Sequence, residues 1–167
     1  LGSAAAIIAA QSTLVSGTQW TTSYVVSAQG SDPFIEEFSI YFAPSLYDSL
    51  ALVAVPAGWN AIVIQPDAGI PADGFFDALA LVAGISPGES LDGFTVSFSY
   101  LGSGVPPAQR FELIDPVSFE TIGTGVTTNP AMAVPAPGTL PLLSLGFGVL
   151  VLLRRRSLSC ATALSRS

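Results

Sequence analysis

From Thr18 to Thr128 short apolar runs are separated by clusters of Gly, Pro, Asp and Ser, spaced at about eight to twelve residues as in antiparallel sandwiches. The clearest run is Phe94 to Tyr100, where Phe94, Val96, Phe98 and Tyr100 alternate with Thr95, Ser97 and Ser99. Such alternation predicts a strand with one packed and one wet face. Phe38, Ile40 and Phe42 repeat the pattern, and Phe111 and Leu113 flank Glu112 in a later strand. Leu50 to Val55, Ala61 to Ile64 and Phe76 to Ala83 are more continuously apolar, which predicts strands covered on both sides or near the domain centre. With Tyr24 to Ser27 and Phe119 to Ile122, the expected count is seven to nine. Gly30-Ser31-Asp32-Pro33, Pro56-Ala57-Gly58, Gln65-Pro66-Asp67 and Ser86-Pro87-Gly88 read as turns, each combining a fixed φ, a left-handed-tolerant residue or a side-chain cap. The expected fold is all-β: one antiparallel β-sandwich, immunoglobulin-like or jelly-roll in type, over residues 17–123. No stretch there holds a helical period.

The two ends read differently. Residues 1–16 open LGSAAAIIAAQS, and Ala4 to Ala10 resembles the end of a signal-peptide apolar region, with cleavage expected between Ala10 and Gly17. A helix of the mature protein is disfavoured there because the stretch has no polar face. Residues 124–138 lack an apolar period and read as a linker. Thr139 to Leu153 then runs fifteen residues without a charge, followed by Arg154-Arg155-Arg156. As a helix this segment rises about 22 Å at ~1.5 Å per residue, a minimal span against the roughly 20 residues a bilayer needs. The arginines would hold its end on the cytoplasmic side and put the body outside the inner membrane.

Val134, Pro135, Ala136, Pro137, Gly138 and Thr139, the short Leu/Gly-rich segment and Arg154, Arg155 and Arg156 stand in one order. This tripartite tail resembles the PEP-CTERM sorting signal of bacterial exported proteins, which an exosortase-type processing enzyme recognises. The resemblance implies transient anchoring in the inner membrane, removal of the tail, and a surface or matrix role in exopolysaccharide and biofilm. Two features depart from the pattern. Ala136 stands where the family usually has Glu, so slower cleavage is expected, and residues 157–167 follow the arginines where the family normally stops. The runs Pro87 to Val96 and Phe111 to Pro116 are also similar, more loosely, to small β-sandwich domains of such proteins. An ordinary C-terminal anchor behind a proline-rich linker is the alternative for the same segment, a protein retained in the membrane with its tail uncut.

Charge sharpens the division. All twelve acids lie between Asp32 and Glu120, whereas four of the five arginines lie from Arg154 onward. Residues 1–133 therefore carry a net charge of minus eleven, with Arg110 the sole cation. A body so acidic is repelled by nucleic acid and anionic lipid, which excludes nucleic-acid binding. Cys160 is the single cysteine, so no internal disulfide forms.

The chain has no histidine and no lysine, which removes Ser-His-Asp and Cys-His catalysis, His-ligated zinc and Schiff-base chemistry. A carboxylate pair of the glycosidase kind remains. Glu36 and Glu37 are neighbours whose side chains point to opposite faces of a strand, and Asp73 and Asp77 near a strand start read as turn caps. The expectation is no enzyme and no cofactor. Calcium is a weak possibility through Asp67, Asp73 and Asp92, which lack the spacing of a dedicated loop and read as solvated acids. Trp20 and Trp59 are candidate carbohydrate contacts, with Trp59 placed beside a turn where exposure is open to it; core packing is the competing reading for each. A carbohydrate-binding module is thus the alternative to a purely structural or adhesive role.

Overall fold

The computed structural model describes residues 6–29 and 34–129. They form nine strands: β1 (Ala6–Ser16), β2 (Gln19–Ala28), β3 (Glu37–Phe42), β4 (Tyr47–Ala54), β5 (Trp59–Ile64), β6 (Gly74–Ala80), β7 (Ser90–Tyr100), β8 (Arg110–Ile114) and β9 (Thr121–Val126). Two antiparallel sheets result, one in the order β1-β2-β7-β4 and the other β5-β6-β3-β8-β9. Among the described residues there is no helix. The expected all-β sandwich is therefore present.

The inward residues are those that alternation marks. Phe94, Val96 and Phe98 of β7, Phe38, Ile40 and Phe42 of β3, and Phe111 and Leu113 of β8 are all buried. Aromatic rings dominate the space between the sheets, where Phe38 and Phe94 lie 5.0 Å apart edge to face and Tyr47 meets Phe98 at 5.1 Å in the same arrangement. Each such contact adds to the large area these rings remove from water.

Three expectations need correction. Residues 6–16, read as leader, form β1: Ala6, Ile8 and Ala10 point into the core, with Ile8 fully buried, and the strand pairs with β2 from Ala6↔Ala28 to Leu14↔Trp20. A strand needs only every second residue to be apolar, so the missing polar face that disfavours a helix does not count against a strand. The second correction is at the other boundary. Thr124 to Val126 belong to β9, and the chain beyond it bonds to β1 through Ala10 N–H to Thr128 O at 2.8 Å and Thr128 N–H to Ile8 O at 2.8 Å. The sandwich thus runs past residue 123 into the segment read as linker. The third concerns position: β4 and β5 are edge strands, and Leu52, Val53, Ile62 and Ile64 are exposed. Phe76 to Ala80 does lie centrally, within β6 between β5 and β3.

The flank between β4 and β5 is closed by a side chain. Register slips in β4 between Asp48 and Ala51, where Ser49 has φ 54°, so Leu50 has no partner in the β4–β7 ladder. Gln65, just past β5, takes both of its backbone groups: Leu50 N–H donates to Gln65 Oε1 at 2.8 Å and Gln65 Nε2 donates to Leu50 O at 2.6 Å. A primary amide has one acceptor and donors side by side, as a peptide group does.

The outer face of the four-stranded sheet has two rows without charge. Register aligns Gln11, Ser23 and Thr95 in one row and Thr13, Thr21 and Ser97 in the next. Cross-strand side-chain bonds follow, including Ser23 to Thr95 at 3.3 Å and Gln19 Nε2 to Ser99 Oγ.

Candidate functional site

Chemistry gathers in two places on the described surface, apart from a small cleft of about 190 Å³ lined by Phe34, Glu36, Ile114, Asp115, Pro116 and Ile122. The first is the outer face of the five-stranded sheet. β3 pairs with both β6 and β8, so Ser39 lies opposite Asp77 on one side and Glu112 on the other. Ser39 Oγ donates to Asp77 Oδ1 at 2.6 Å. Tyr41, two residues along, donates its hydroxyl to Glu112 Oε2 at 2.9 Å. The Arg110 guanidinium sits 3.8 Å from the centre of the Tyr41 ring and pairs with Glu112, with Asp73 at 3.8 Å. Phe75 flanks the same ring at 6.2 Å. The body's sole cation is thereby held against a ring face and a carboxylate.

Burial raises Asp77 above the usual carboxylate range, and the Ser39 hydrogen bond offsets part of this. Glu37 is raised by burial first and by the Asp77 charge second. Tyr41 is raised by burial, by donating to Glu112 and by that group's charge, with Arg110 opposing. These shifts follow from half-covered groups of like charge sharing one sheet face. The acids stand on a flat sheet surface, and Glu112 is committed to Arg110 and Tyr41.

The second place is a groove of about 420 Å³ at one end of the sandwich, lined by Leu14, Thr18, Trp20, Tyr100, Gly102 and Gly104, with Gly17 at its rim. It forms where the β1–β2 turn meets the chain leaving β7. Trp20 is on the inward side of β2, aligned with Leu14 and Phe98, but at the mouth of the sandwich, and so is only partly covered. Its ring meets Tyr100 edge to face at 6.5 Å and 88°. Tyr100 N–H donates to Thr18 O at 2.8 Å, which ties turn to strand.

No protein-family model and no curated protein matches the chain. Among solved structures it is similar to the "Cohesin module from Clostridium perfringens ATCC13124 family 33 glycoside hydrolase", at TM-score 0.41 and 10% identity, over 76% of this chain and 98% of that one. Identity at this level transfers no residue role.

The sequence-marked residues separate. Trp59 is 6% exposed and packs between Phe38 at 5.9 Å and Phe94 at 5.1 Å, so its expected carbohydrate contact is corrected to core. The turn before it, with Gly58 at φ 81°, delivers the first residue of β5 inward. Trp20 alone reaches a groove. Asp67 caps its own turn by accepting from Gly69 N–H at 2.7 Å, and Asp92 is exposed on β7. Asp73 and Asp77 part company, one exposed before β6 and the other half-buried within it. Among the described residues no three acidic, cysteine or histidine side chains stand together to hold a metal, and no helix is long and apolar enough to cross a membrane. The sorting-signal positions Val134, Pro135, Ala136, Pro137, Gly138, Thr139, Arg154, Arg155 and Arg156 lie outside the described residues, as does the expected helix 139–153. Missed at the sequence level were Tyr41, Phe75, Arg110 and Glu112 acting together. Their one sequence signal was Arg110 standing alone among acids.

Proposed function

We propose that this chain is an exported surface or matrix protein whose β-sandwich plays a non-catalytic, adhesive role and whose C-terminal tail, with a short apolar helix over residues 139–153, is read by an exosortase-type enzyme in the inner membrane. The observation that carries the reading is the order of the tail in sequence: Val134-Pro135-Ala136-Pro137, fifteen uncharged residues, then three arginines. The body is compatible with it. Glu37, Asp77 and Glu112 stand on an open sheet face, an arrangement suited to contact with a partner and poorly suited to enclosing a reacting bond. The winding, in which β2-β7-β4 faces β5-β6-β3-β8, favours a jelly-roll over an immunoglobulin-like sandwich. Exopolysaccharide is the partner that the sorting reading implies.

The test is mass spectrometry of the mature C-terminus in envelope and medium fractions of the native host. The expected result is a chain ending between Val134 and Thr139, outside the membrane fraction. Intact chain through Cys160 and Arg166 in the membrane would sink the sorting reading and leave an anchored protein.

A further inference from the structure

We propose that the groove at the β1–β2 end is a binding site for a neutral saccharide, with one sugar ring seated against Trp20 at the mouth of the sandwich. This rests on the adhesive reading above and gives it a location and a ligand class.

The chemistry of the walls selects the occupant. Trp20 offers a partly covered indole, and Tyr100 fixes it from the side. A sugar ring has an apolar C–H face that lies on an aromatic ring and a rim of hydroxyls that needs polar partners. The rim supplies them as backbone: Gly17 and Gly104 carry no side chains to screen their peptide groups, and a Cβ at either would meet nothing within 4 Å, whereas Gly102 lies under the Tyr100 phenol. An aliphatic peptide filling the groove would cover those peptide groups without satisfying them, at a cost that hydroxyls avoid.

Charge narrows the class further. None of the lining residues is ionisable in the physiological range, whereas the surrounding body bears minus eleven. An acidic polysaccharide would be repelled on approach; a neutral one would not. Beyond the groove, past the Gln19–Ser99 row that ends on β4 at the exposed Asp48, lie the uncharged rows Thr13–Thr21–Ser97 and Gln11–Ser23–Thr95, so a chain longer than one ring that runs over β1 and β2 meets hydroxyls and amides along its path.

The experiment is a saturation-transfer NMR titration of the full chain in a zwitterionic, sugar-free detergent. The probes are neutral hexasaccharides of glucose, mannose and galactose, with an alginate hexamer as the anionic comparison. At least one neutral probe should bind and alginate should not. Trp20→Leu should weaken binding about tenfold or more, equivalent to the loss of one good contact. Because Trp20 also packs on Tyr100, a second variant guards against misfolding. Gly104→Asn adds a side chain to the groove lining at φ 80°, where asparagine is among the better-tolerated residues after glycine, and should cut affinity with a loss of Tm no larger than that of Gly88→Asn. Gly88→Asn, equally open at φ 83° but beside Ala28 at the far end of β2, should leave binding unchanged. The proposal is overturned if no neutral probe binds, if alginate alone binds, or if Gly104→Asn binds as well as Gly88→Asn. Failure here leaves the sorting reading untouched, since that is read from the C-terminus.

Discussion

Gln65 shows how one side chain can replace a stretch of ladder. Its amide satisfies Leu50 N–H and Leu50 O together where the bulge in β4 has removed their strand partners. Gln65→Ala should destabilise the body by about 1–3 kcal/mol, the range for leaving covered backbone groups without partners, measured by urea unfolding. Gln65→Glu should recover little, because it keeps the acceptor for Leu50 N–H and sets a carboxylate against Leu50 O. A loss below the error of the measurement in both variants would show that water replaces the amide at no cost. Nothing in the sequence around Gln65 marks this role, since it depends on a register slip fifteen residues earlier in the chain.

At the level of strands, β1 is the instructive case. It contributes Ile8 to the core and is held on one side by β2 and on the other by Thr128. Ile8→Ala should cost about 2–4 kcal/mol as a core truncation, whereas Ile7→Ala, at a 47% exposed position, should stay within about 0.5 kcal/mol. Equal, small effects at both positions would mean that β1 is not part of the folded body. What sequence reveals about strands depends on how wet their outer faces are. β7 was legible because Thr95, Ser97 and Ser99 interrupt its apolar residues. β1 was not, because Ile7 and Ala9 fill the outward positions with more apolar side chains. β4 and β5 misled for the same reason, with Leu52, Val53, Ile62 and Ile64 mimicking strands covered on both sides. Trp59 beside its turn gave no sign of which side the next residue would take. The Tyr41–Arg110–Glu112 group needed a pairing between β3 and β8, about seventy residues apart in sequence, which spacing alone does not reveal; the Trp20 end of the molecule was half legible, one tryptophan of two.

For the molecule as a whole, charge couples stability to pH. Asp77 and Glu37 have carboxyl groups raised above their unfolded values, so over the interval between unfolded and folded values the native state binds more protons. Stability from these groups is therefore full below the unfolded carboxylate value, roughly 4, and declines as pH rises through the folded one. Asp115 works oppositely: backbone N–H groups of Ser118 and Val117 hold it low, so its contribution disappears on acidification. Asp77→Asn, which keeps an acceptor for Ser39, should raise Tm at pH 7 by a few degrees, and the gain should shrink as pH falls toward 4. Thermal melts of both proteins across that range check this, and a gain independent of pH would show that the Asp77 charge is not its cause.

The bare rows on the four-stranded sheet leave an uncharged strip on the body, with Asp48 on β4 and Asp92 near the start of β7 at its margins. Glu37, Asp77 and Glu112 crowd the opposite flank, while Gln11, Thr13, Thr21, Ser23, Thr95 and Ser97 present none of that charge. In a gel of anionic polymer such a particle does not tumble indifferently. Its carboxylates are pushed toward open solvent, and the uncharged strip is the part of its surface that the strands of the gel approach at least cost. Orientation of this kind comes without any specific contact, falls away within about 10 Å at 0.1 M salt, and makes local ionic strength the setting that determines which side of the molecule its surroundings meet.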